Sequence, residues 1–199
     1  MTEFSILNPL SHLGLHEGKE TSRADVILRD RRGLGIAQIF AKKGKTAALA
    51  KKLGISAKPR TATVLEDYTA LPLSPGQWML FADGGADGSF KQMLEERIGK
   101  IGYVSEQSHS RAIIRISGRK CLDVLAKECR LDLHGDVATT GFCAQTNMAK
   151  IGVLMHKVDD APTFDLVVFA GFADSFWHWI RQASAEYNVE AFSESGGEK

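Results

Sequence analysis

The stretch that decides the fold runs from Arg111 to Ala149 and reads RAIIRISGRKCLDVLAKECRLDLHGDVATTGFCAQTNMA. Its β-branched opening, Arg111 to Ile116, predicts a strand, and Ser117 before Gly118 is the expected N-cap of a helix over 119–129. Four residues of that helix form one apolar stripe at helical spacing: Leu122, Leu125, Ala126 and Cys129. An alternating run at the end of the stretch predicts a second strand. The stretch therefore predicts one helix packed against a sheet.

The same order of elements is predicted twice along the chain. Residues 34–107 predict strand, helix, strand, strand, helix, strand, and residues 111–191 repeat that order. Two copies of a split βαβ pattern predict an α+β fold, with two ferredoxin-like α/β halves that share a core. The predicted organisation comprises an extended N-terminal arm (1–22), a first α/β half (23–108), a second α/β half (109–192) and a disordered tail (193–199).

Local signals set the limits of the other helices. Thr46 to Leu53 is predicted helical because Gly54 stands just past its last turn. Ser89, with Gln92 three residues later, predicts a capping box for the next helix. Asp174 is the expected cap of the last helix.

Composition indicates an ordinary globular protein. The chain has 199 residues, 44% hydrophobic residues and a net charge of +1. An apolar run long enough to cross a membrane is missing, and so is a basic segment followed by an apolar one at the N-terminus, so we expect neither a membrane span nor a signal peptide. Three cysteines without a CxxC spacing favour a reduced, cytoplasmic protein.

Charge is distributed unevenly. Between Lys19 and Arg60 there are twelve basic and three acidic residues, whereas from Asp159 onward there are eight acidic and two basic residues. Such asymmetry predicts a partner surface or a solvated face. The basic stretch contains Phe40 as its single aromatic residue and lacks a nucleic-acid-reading motif, so we expect no nucleic-acid partner.

Two glycine-containing loops precede helices and invite comparison with phosphate sites. Gly44-Lys45-Thr46 matches the end of a phosphate-binding loop, but the first glycine of that motif is replaced by Ile39. The loop over 84–88 is flanked by Asp83 and Asp87, which would repel a phosphate. Neither loop predicts a nucleotide site.

The sequence signals for metal-binding and catalytic sites are also weak. His12 and His16 have the spacing of two ligands on one helix face, but Pro9 and nearby glycines disfavour that helix. Asp132 and His134 could form a hydrogen-bonded pair, yet no nucleophile is marked to accompany them. The sequence therefore predicts no catalytic, cofactor-binding or metal-binding residue in this chain.

Several residues are candidates for a subunit interface. Trp177 lies a quarter turn from the apolar stripe of its predicted helix, so core packing and partner contact both remain open for it. The arm and the basic stretch supply the others. The complete set of interface candidates is Leu10, Leu13, Arg31, Arg32 and Trp177.

Four segments together resemble a known family: PLSPGQW (72–78), SGRKCLDVLAKECRLDL (117–133), GFCAQT (141–146) and FADSFWHWIRQASAEY (172–187). In order and spacing they are similar to the gamma subunits of heterotetrameric sarcosine oxidases. The N-terminal PLSHLG is also similar, whereas residues 20–65 are less diagnostic.

The resemblance implies an aminomethyltransferase-like fold and a structural subunit that is not itself catalytic. It implies alpha, beta and delta subunits as partners, in a complex that oxidises sarcosine to glycine and transfers the one-carbon unit to tetrahydrofolate. FAD, covalent FMN, NAD, tetrahydrofolate and zinc would be carried by the other subunits.

Two other interpretations stay open at the level of sequence. One is a free-standing folate-binding or aminomethyltransferase-like protein of the same fold. The other is a gamma subunit of a related complex that oxidises or dehydrogenates another N-methylated amino acid or amine.

Overall fold

The computed structural model describes residues 8–18 and 23–195. Its strands are β1 (Val26–Arg32), β2 (Leu34–Ala41), β3 (Thr63–Val64), β4 (Thr69–Ser74), β5 (Gln77–Asp83), β6 (Gly102–Glu106), β7 (Arg111–Ser117), β8 (Cys143–Met148), β9 (Ile151–Lys157), β10 (Phe164–Phe169) and β11 (Val189–Ser195). Its α-helices are α1 (Thr46–Leu53), α2 (Ser89–Ile98), α3 (Cys121–Leu125) and α4 (Ala173–Ala183). Short 3₁₀ turns cover Ser11–Leu13, Gly99–Ile101 and Ala170–Phe172.

The strands form two sheets, as expected for a mixed α+β fold. One sheet has six strands in the order β11-β1-β7-β10-β9-β8, and the other has five in the order β3-β4-β5-β2-β6. Every neighbouring pair is antiparallel except β1 with β11, which run parallel. Antiparallel neighbours need only short connections, and the β8–β9 hairpin has a loop of two residues.

Three apolar clusters show that the layers are helices, sheet, sheet, helices. On the outer face of the six-stranded sheet, Ile114 and Leu166 pack with Phe176 of α4. On the outer face of the five-stranded sheet, Ile39 packs with α1 and α2. The side chains that alternate with these along the strands lie between the two sheets and form a third cluster. Its members include Ile36, Met79, Phe81, Ile113, Leu154 and Val167. Both sheets are thus covered on two faces, and each strand alternates between two apolar layers.

Several predicted element limits match the structure, and others need correction. The strands at 111–117 and 164–169 and the α1 helix, ended by Gly54 at φ 69°, lie where the sequence places them. The second strand predicted at the end of the stretch 111–149 is β8, which ends at Met148 and turns through Ala149-Lys150 into β9. Three strands lie between α1 and α2 where the sequence predicted two, and the additional one is β4, which contains Pro72.

The helix predicted over 119–129 is shorter than expected. α3 spans Cys121–Leu125 instead, and Leu122 of its predicted apolar stripe is 37% exposed.

Helix capping differs from the prediction at all three proposed N-caps. Asp174 is the second residue of α4, which has Phe172 at its N-cap position and no side-chain cap. Ser117 does not cap α3, which begins at Cys121, and its Oγ atom is buried without a hydrogen-bond partner among the described residues. Ser89 is the first residue of α2, where its backbone N–H donates to Asp87 Oδ1 at 3.0 Å and its hydroxyl donates to the same oxygen at 2.7 Å. The Asx turn formed by Asp87 therefore replaces the predicted capping box.

The ends of the chain contribute to the six-stranded sheet. β1 pairs with β7 and β11, although it falls within the range 23–108 predicted for the first half. β11 continues to Ser195, so the first residues of the predicted tail 193–199 lie in a strand, and 196–199 lie outside the described residues. Of the predicted arm, residues 1–7 and 19–22 also lie outside them.

Candidate functional site: the space between the two sheets

A cluster of charged residues fills one part of the layer between the sheets. Asp165 is 1% exposed and accepts hydrogen bonds from Arg115 Nε at 2.7 Å and Nη2 at 2.9 Å. Arg31 Nη1 donates to the same carboxylate at 3.2 Å, and its Nη2 donates to Asp83 at the end of β5 at 2.9 Å. Since Asp83 belongs to the other sheet, Arg31 connects the two sheets.

The protonation of this cluster follows from its geometry. Burial by itself raises the pKa of Asp165, but hydrogen bonds from Arg115 and the charges of Arg115 and Arg31 outweigh it, so the pKa of Asp165 is lowered. Asp165 is therefore ionised at neutral pH, and the cluster is a structural ion network whose carboxylate holds no proton to exchange.

His156 lies next to this network on β9, directly opposite Asp165. Its side chain is 2% exposed, and both ring nitrogens are buried without a hydrogen-bond partner within 8–18 and 23–195. The centroid of the ring lies 6.3 Å from that of Phe81. Burial lowers the pKa of His156, and the charges of Arg115 and Arg31 lower it further, against the opposing effect of Asp165. His156 is thus a neutral residue within the core.

A cleft of about 630 Å³ opens where the two sheets diverge. The five-stranded sheet contributes the lining residues Gln38, Leu73, Ser74, Gln77 and Met79. The six-stranded sheet contributes Arg111, Gln145, Thr146, Asn147, Gly152, Val153, Leu154, Val167 and Phe169. One amide of each sheet is already engaged, because Gln38 Nε2 donates to Gln77 Oε1 at 3.5 Å and Gln145 Nε2 donates to the Leu73 carbonyl at 3.1 Å. Among the described residues that line the cleft, Arg111 is the one that carries a charge.

Two of the five predicted interface residues lie in the chain's own core. Leu10 is 0% exposed and Trp177 is 4% exposed, and both belong to the cluster under α3 and α4. They present almost no surface to a partner, because the fold itself buries them. Core packing, one of the two interpretations left open for Trp177, is what the structure shows.

The two predicted arginines are engaged within the chain as well. Arg31 bridges Asp165 and Asp83, as described above, and Arg32 Nε donates to the buried Asp30 at 2.7 Å. Burial raises the pKa of Asp30 in spite of that hydrogen bond. Leu13 is partly buried against the same core and keeps some exposure. A contact between Leu13 or Arg32 and a partner stays a prediction.

The charge asymmetry seen in the sequence is partly resolved inside the molecule. Because β1 and β11 are neighbours, Arg29 and Arg31 of the basic stretch approach Glu194 of the acidic one, at 3.8 Å and 3.9 Å. Part of the predicted partner surface is therefore an intramolecular ion-pair network.

The remaining sequence candidates occupy separate places. His12 Nε2 lies 2.8 Å from Asp174 Oδ1, so the partner of His12 is a residue distant in sequence and not His16. The predicted pair of Asp132 and His134 is confirmed at 2.9 Å on an exposed loop. No group of three or more His, Cys, Asp or Glu residues with metal-site geometry occurs within 8–18 and 23–195.

The three cysteines are poor nucleophiles where they stand. All are buried free thiols, and burial raises the pKa of each, that of Cys143 to about 11. Since the thiolate is the reactive form, these residues pack as small apolar side chains. No helix in the described part of the chain is long and apolar enough to cross a membrane.

Sequence reasoning missed Arg111, His156 and Asp165. A signal was present, because each is a polar residue within a mainly apolar strand that is covered on both faces. A polar or charged residue in such a run indicates either a buried partner or a ligand.

Comparison with known proteins places the chain in a family. A sequence model of the "Sarcosine oxidase, gamma subunit family" matches residues 39–186. A sarcosine oxidase subunit gamma from Arthrobacter sp. is 26% identical over 187 residues, 90% of each chain. One from Corynebacterium sp. (strain P-1) is 26% identical over 150 residues, 74% of this chain and 73% of that protein.

Two solved structures share the fold. The heterotetrameric sarcosine oxidase from Corynebacterium sp. U-96 contains a chain that superposes with a TM-score of 0.78 at 23% identity, over 92% of this chain and 97% of that one. The glycine cleavage system aminomethyltransferase T from Bartonella henselae gives a TM-score of 0.63 at 16% identity, over 96% of this chain and 51% of that one. Because the family's sequence pattern extends over well more than half of its length, the chain belongs to the sarcosine oxidase gamma subunit family.

Proposed function

We propose that this chain is the gamma subunit of a cytoplasmic heterotetrameric sarcosine oxidase, assembled with alpha, beta and delta subunits. The observation that carries the proposal is the family match over residues 39–186, supported by alignment with a gamma subunit over 90% of both chains. The complex demethylates sarcosine oxidatively to glycine and passes the one-carbon unit to tetrahydrofolate.

Within that complex we assign the chain a structural role. The buried carboxylate of Asp165 is balanced by ion pairs with Arg115 and Arg31, and the three thiols are buried. FAD, covalent FMN, NAD, tetrahydrofolate and zinc are then held by the other subunits. Leu13 and Arg32 remain the predicted interface residues with surface to offer.

The finer fold proposal is a duplicated, ferredoxin-like split βαβ pattern. When β1 is set aside, the order β11-β7-β10-β9-β8 corresponds to β6-β2-β5-β4-β3, with matching positions for the helices along the chain. On this proposal the two α/β halves are residues 23–108 and 109–192, and β1 crosses from the first half into the sheet of the second.

The assembly role is tested by co-expressing the tagged chain with the genes encoded beside it and purifying it by the tag. The expected product is a large complex by native mass spectrometry with visible flavin absorbance and sarcosine-dependent oxygen consumption. Recovery of a colourless 21.7 kDa protein alone would contradict the proposal. Screening other N-methylated amines on the same preparation decides the substrate.

A folate-binding role is the second candidate, favoured by the fold shared with an aminomethyltransferase at a TM-score of 0.63. Titration of the isolated chain with tetrahydrofolate in a calorimeter tests it. Saturable binding would support it, and its absence from a chain that still assembles into the complex would leave the structural role alone.

A further inference from the structure

Arg111 is held in a fixed orientation at the wall of the cleft. It is the first residue of β7 and stands directly opposite Phe169 of β10. Its guanidinium carbon lies over the Phe169 ring, 3.4 Å from the centroid, in a cation–π contact. Stacking on an aromatic face restricts the guanidinium group and leaves its edge free to donate hydrogen bonds.

No carboxylate balances this charge within residues 8–18 and 23–195. Arg115, four residues along the same strand, is paired with Asp165, whereas the Arg111 side chain has neither an ion pair nor a hydrogen bond to any described residue. Its Nε atom is buried and unpartnered, and burial lowers the pKa of Arg111 without an opposing acidic neighbour. A partly buried cation without a partner is destabilising, which indicates that an external anion completes it.

The rest of the cleft suits a small molecule with one acidic group. Other polar lining residues are neutral amides and hydroxyls, among them Gln38, Gln77 and Asn147. Apolar contacts are available from residues such as Met79 and Val167, and about 630 Å³ lies within the range of small-molecule sites. One cation, several neutral hydrogen-bonding groups and apolar surface are complementary to an organic acid.

We propose that the cleft between the sheets binds a small organic acid, whose carboxylate pairs with the guanidinium group of Arg111. Arginine presents two parallel N–H donors that match the two oxygens of a carboxylate. The site goes beyond the assembly role, because it lies within one chain and would exist with or without sarcosine turnover.

The test uses ligand-observed ¹⁹F NMR on the purified complex and on the chain alone. The probe is 4-fluorobenzoate, and 4-fluorobenzamide is the neutral control of the same shape. Arg111→Gln removes the charge, and Arg111→Lys keeps the charge but lacks the two parallel N–H donors of a guanidinium group. Arg130→Gln is a matched control at an exposed arginine outside the cleft. Thermal unfolding of each variant establishes that it is folded.

We expect the acid to bind and the amide not to bind. Arg111→Gln should weaken binding of 4-fluorobenzoate about tenfold or more, as expected for loss of a charge-assisted pair, with a smaller loss for Arg111→Lys and none for Arg130→Gln. Equal binding of acid and amide, or no binding of the acid to either preparation, would overturn the proposal. So would an Arg111→Gln variant that loses partner subunits while 4-fluorobenzoate binding is unchanged, since the guanidinium group would then serve a protein contact.

Discussion

Asp165 is the residue on which the buried ion network depends. Its carboxylate faces two guanidinium groups, Arg115 and Arg31, and its removal would leave both cations buried without a full counter-charge. We expect Asp165→Asn to lower the free energy of unfolding by about 3 kcal/mol or more, measured by urea denaturation. Asp136→Asn is the matched control at an exposed position and should change stability by less than about 0.5 kcal/mol. Equal effects of the two substitutions would show that the network does not stabilise the fold.

His156 gives the stability of the protein a dependence on pH. The ring is buried neutral, so its pKa in the folded chain is below the 6.5 expected for an unfolded one. As pH falls below about 6.5, the unfolded chain takes up a proton that the folded chain resists, and stability is lost until the folded pKa is passed. The loss approaches about 1.4 kcal/mol per pH unit for one proton.

Substitution at His156 should therefore reduce acid destabilisation. Between about pH 7 and pH 5, the unfolding free energy of His156→Gln should fall less steeply than that of the wild type. His109→Gln, at an exposed histidine, should follow the wild type. The prediction would be refuted by parallel curves for His156→Gln and the wild type.

At the scale of elements, the β8–β9 hairpin contains an unfavourable turn. Ala149 and Lys150 form its two-residue loop, with φ of 50° and 64°, a region in which non-glycine side chains are strained. Asn-Gly is the preferred sequence for such a turn. Replacing both residues by Ala149→Asn and Lys150→Gly should raise the free energy of unfolding by about 1 kcal/mol, measured by thermal and urea denaturation.

The matched control at this turn is Lys150→Ala. It changes the side chain and leaves a Cβ atom at positive φ, so it should give no stabilisation. If Lys150→Ala raised the free energy of unfolding as much as the Asn-Gly variant, the effect would come from charge or side-chain contacts and not from the backbone conformation.

At the scale of the whole molecule, the described part of the N-terminal arm pairs with β11 and packs against the core of the six-stranded sheet. Ser193 of β11 donates from its backbone N–H to the His16 carbonyl at 3.0 Å and from its hydroxyl to the Leu15 carbonyl at 3.1 Å. Leu10 reaches the cluster formed by β7, β10 and α4. The described part of the arm is therefore a component of the fold.

Two matched leucine truncations test the role of the arm. Leu10→Ala should destabilise the isolated chain by about 2–5 kcal/mol, because it leaves a cavity in the core. Leu13→Ala removes the same atoms from a partly exposed site and should cost less than half as much. Unfolding of the isolated chain is the measurement. If Leu10→Ala left the stability of the isolated chain unchanged but reduced recovery of the complex, Leu10 would contact a partner subunit and not the core.

Much of the secondary structure could be predicted because its signals are local. The β-branched run at 111–116 and Gly54 at the end of α1 act within a few residues, and the structure has the elements where those signals place them. Signals that compete over the same distance were harder to separate. Asp87 stands two residues before Ser89 and displaced the capping box, and Pro72 concealed an irregular strand.

The sequence by itself determined most of the strands and helices and, through four segments, the family. Only the tertiary structure decided which charges are paired, because pairing depends on neighbours that are distant along the chain. It placed β1 beside β11 and so directed Arg29 and Arg31 toward Glu194. Among the described residues, it also left the Arg111 side chain without an ion pair in the cleft while pairing Arg115 with Asp165. Periodicity reports the face on which a side chain lies, and the other sheet determines what that face meets.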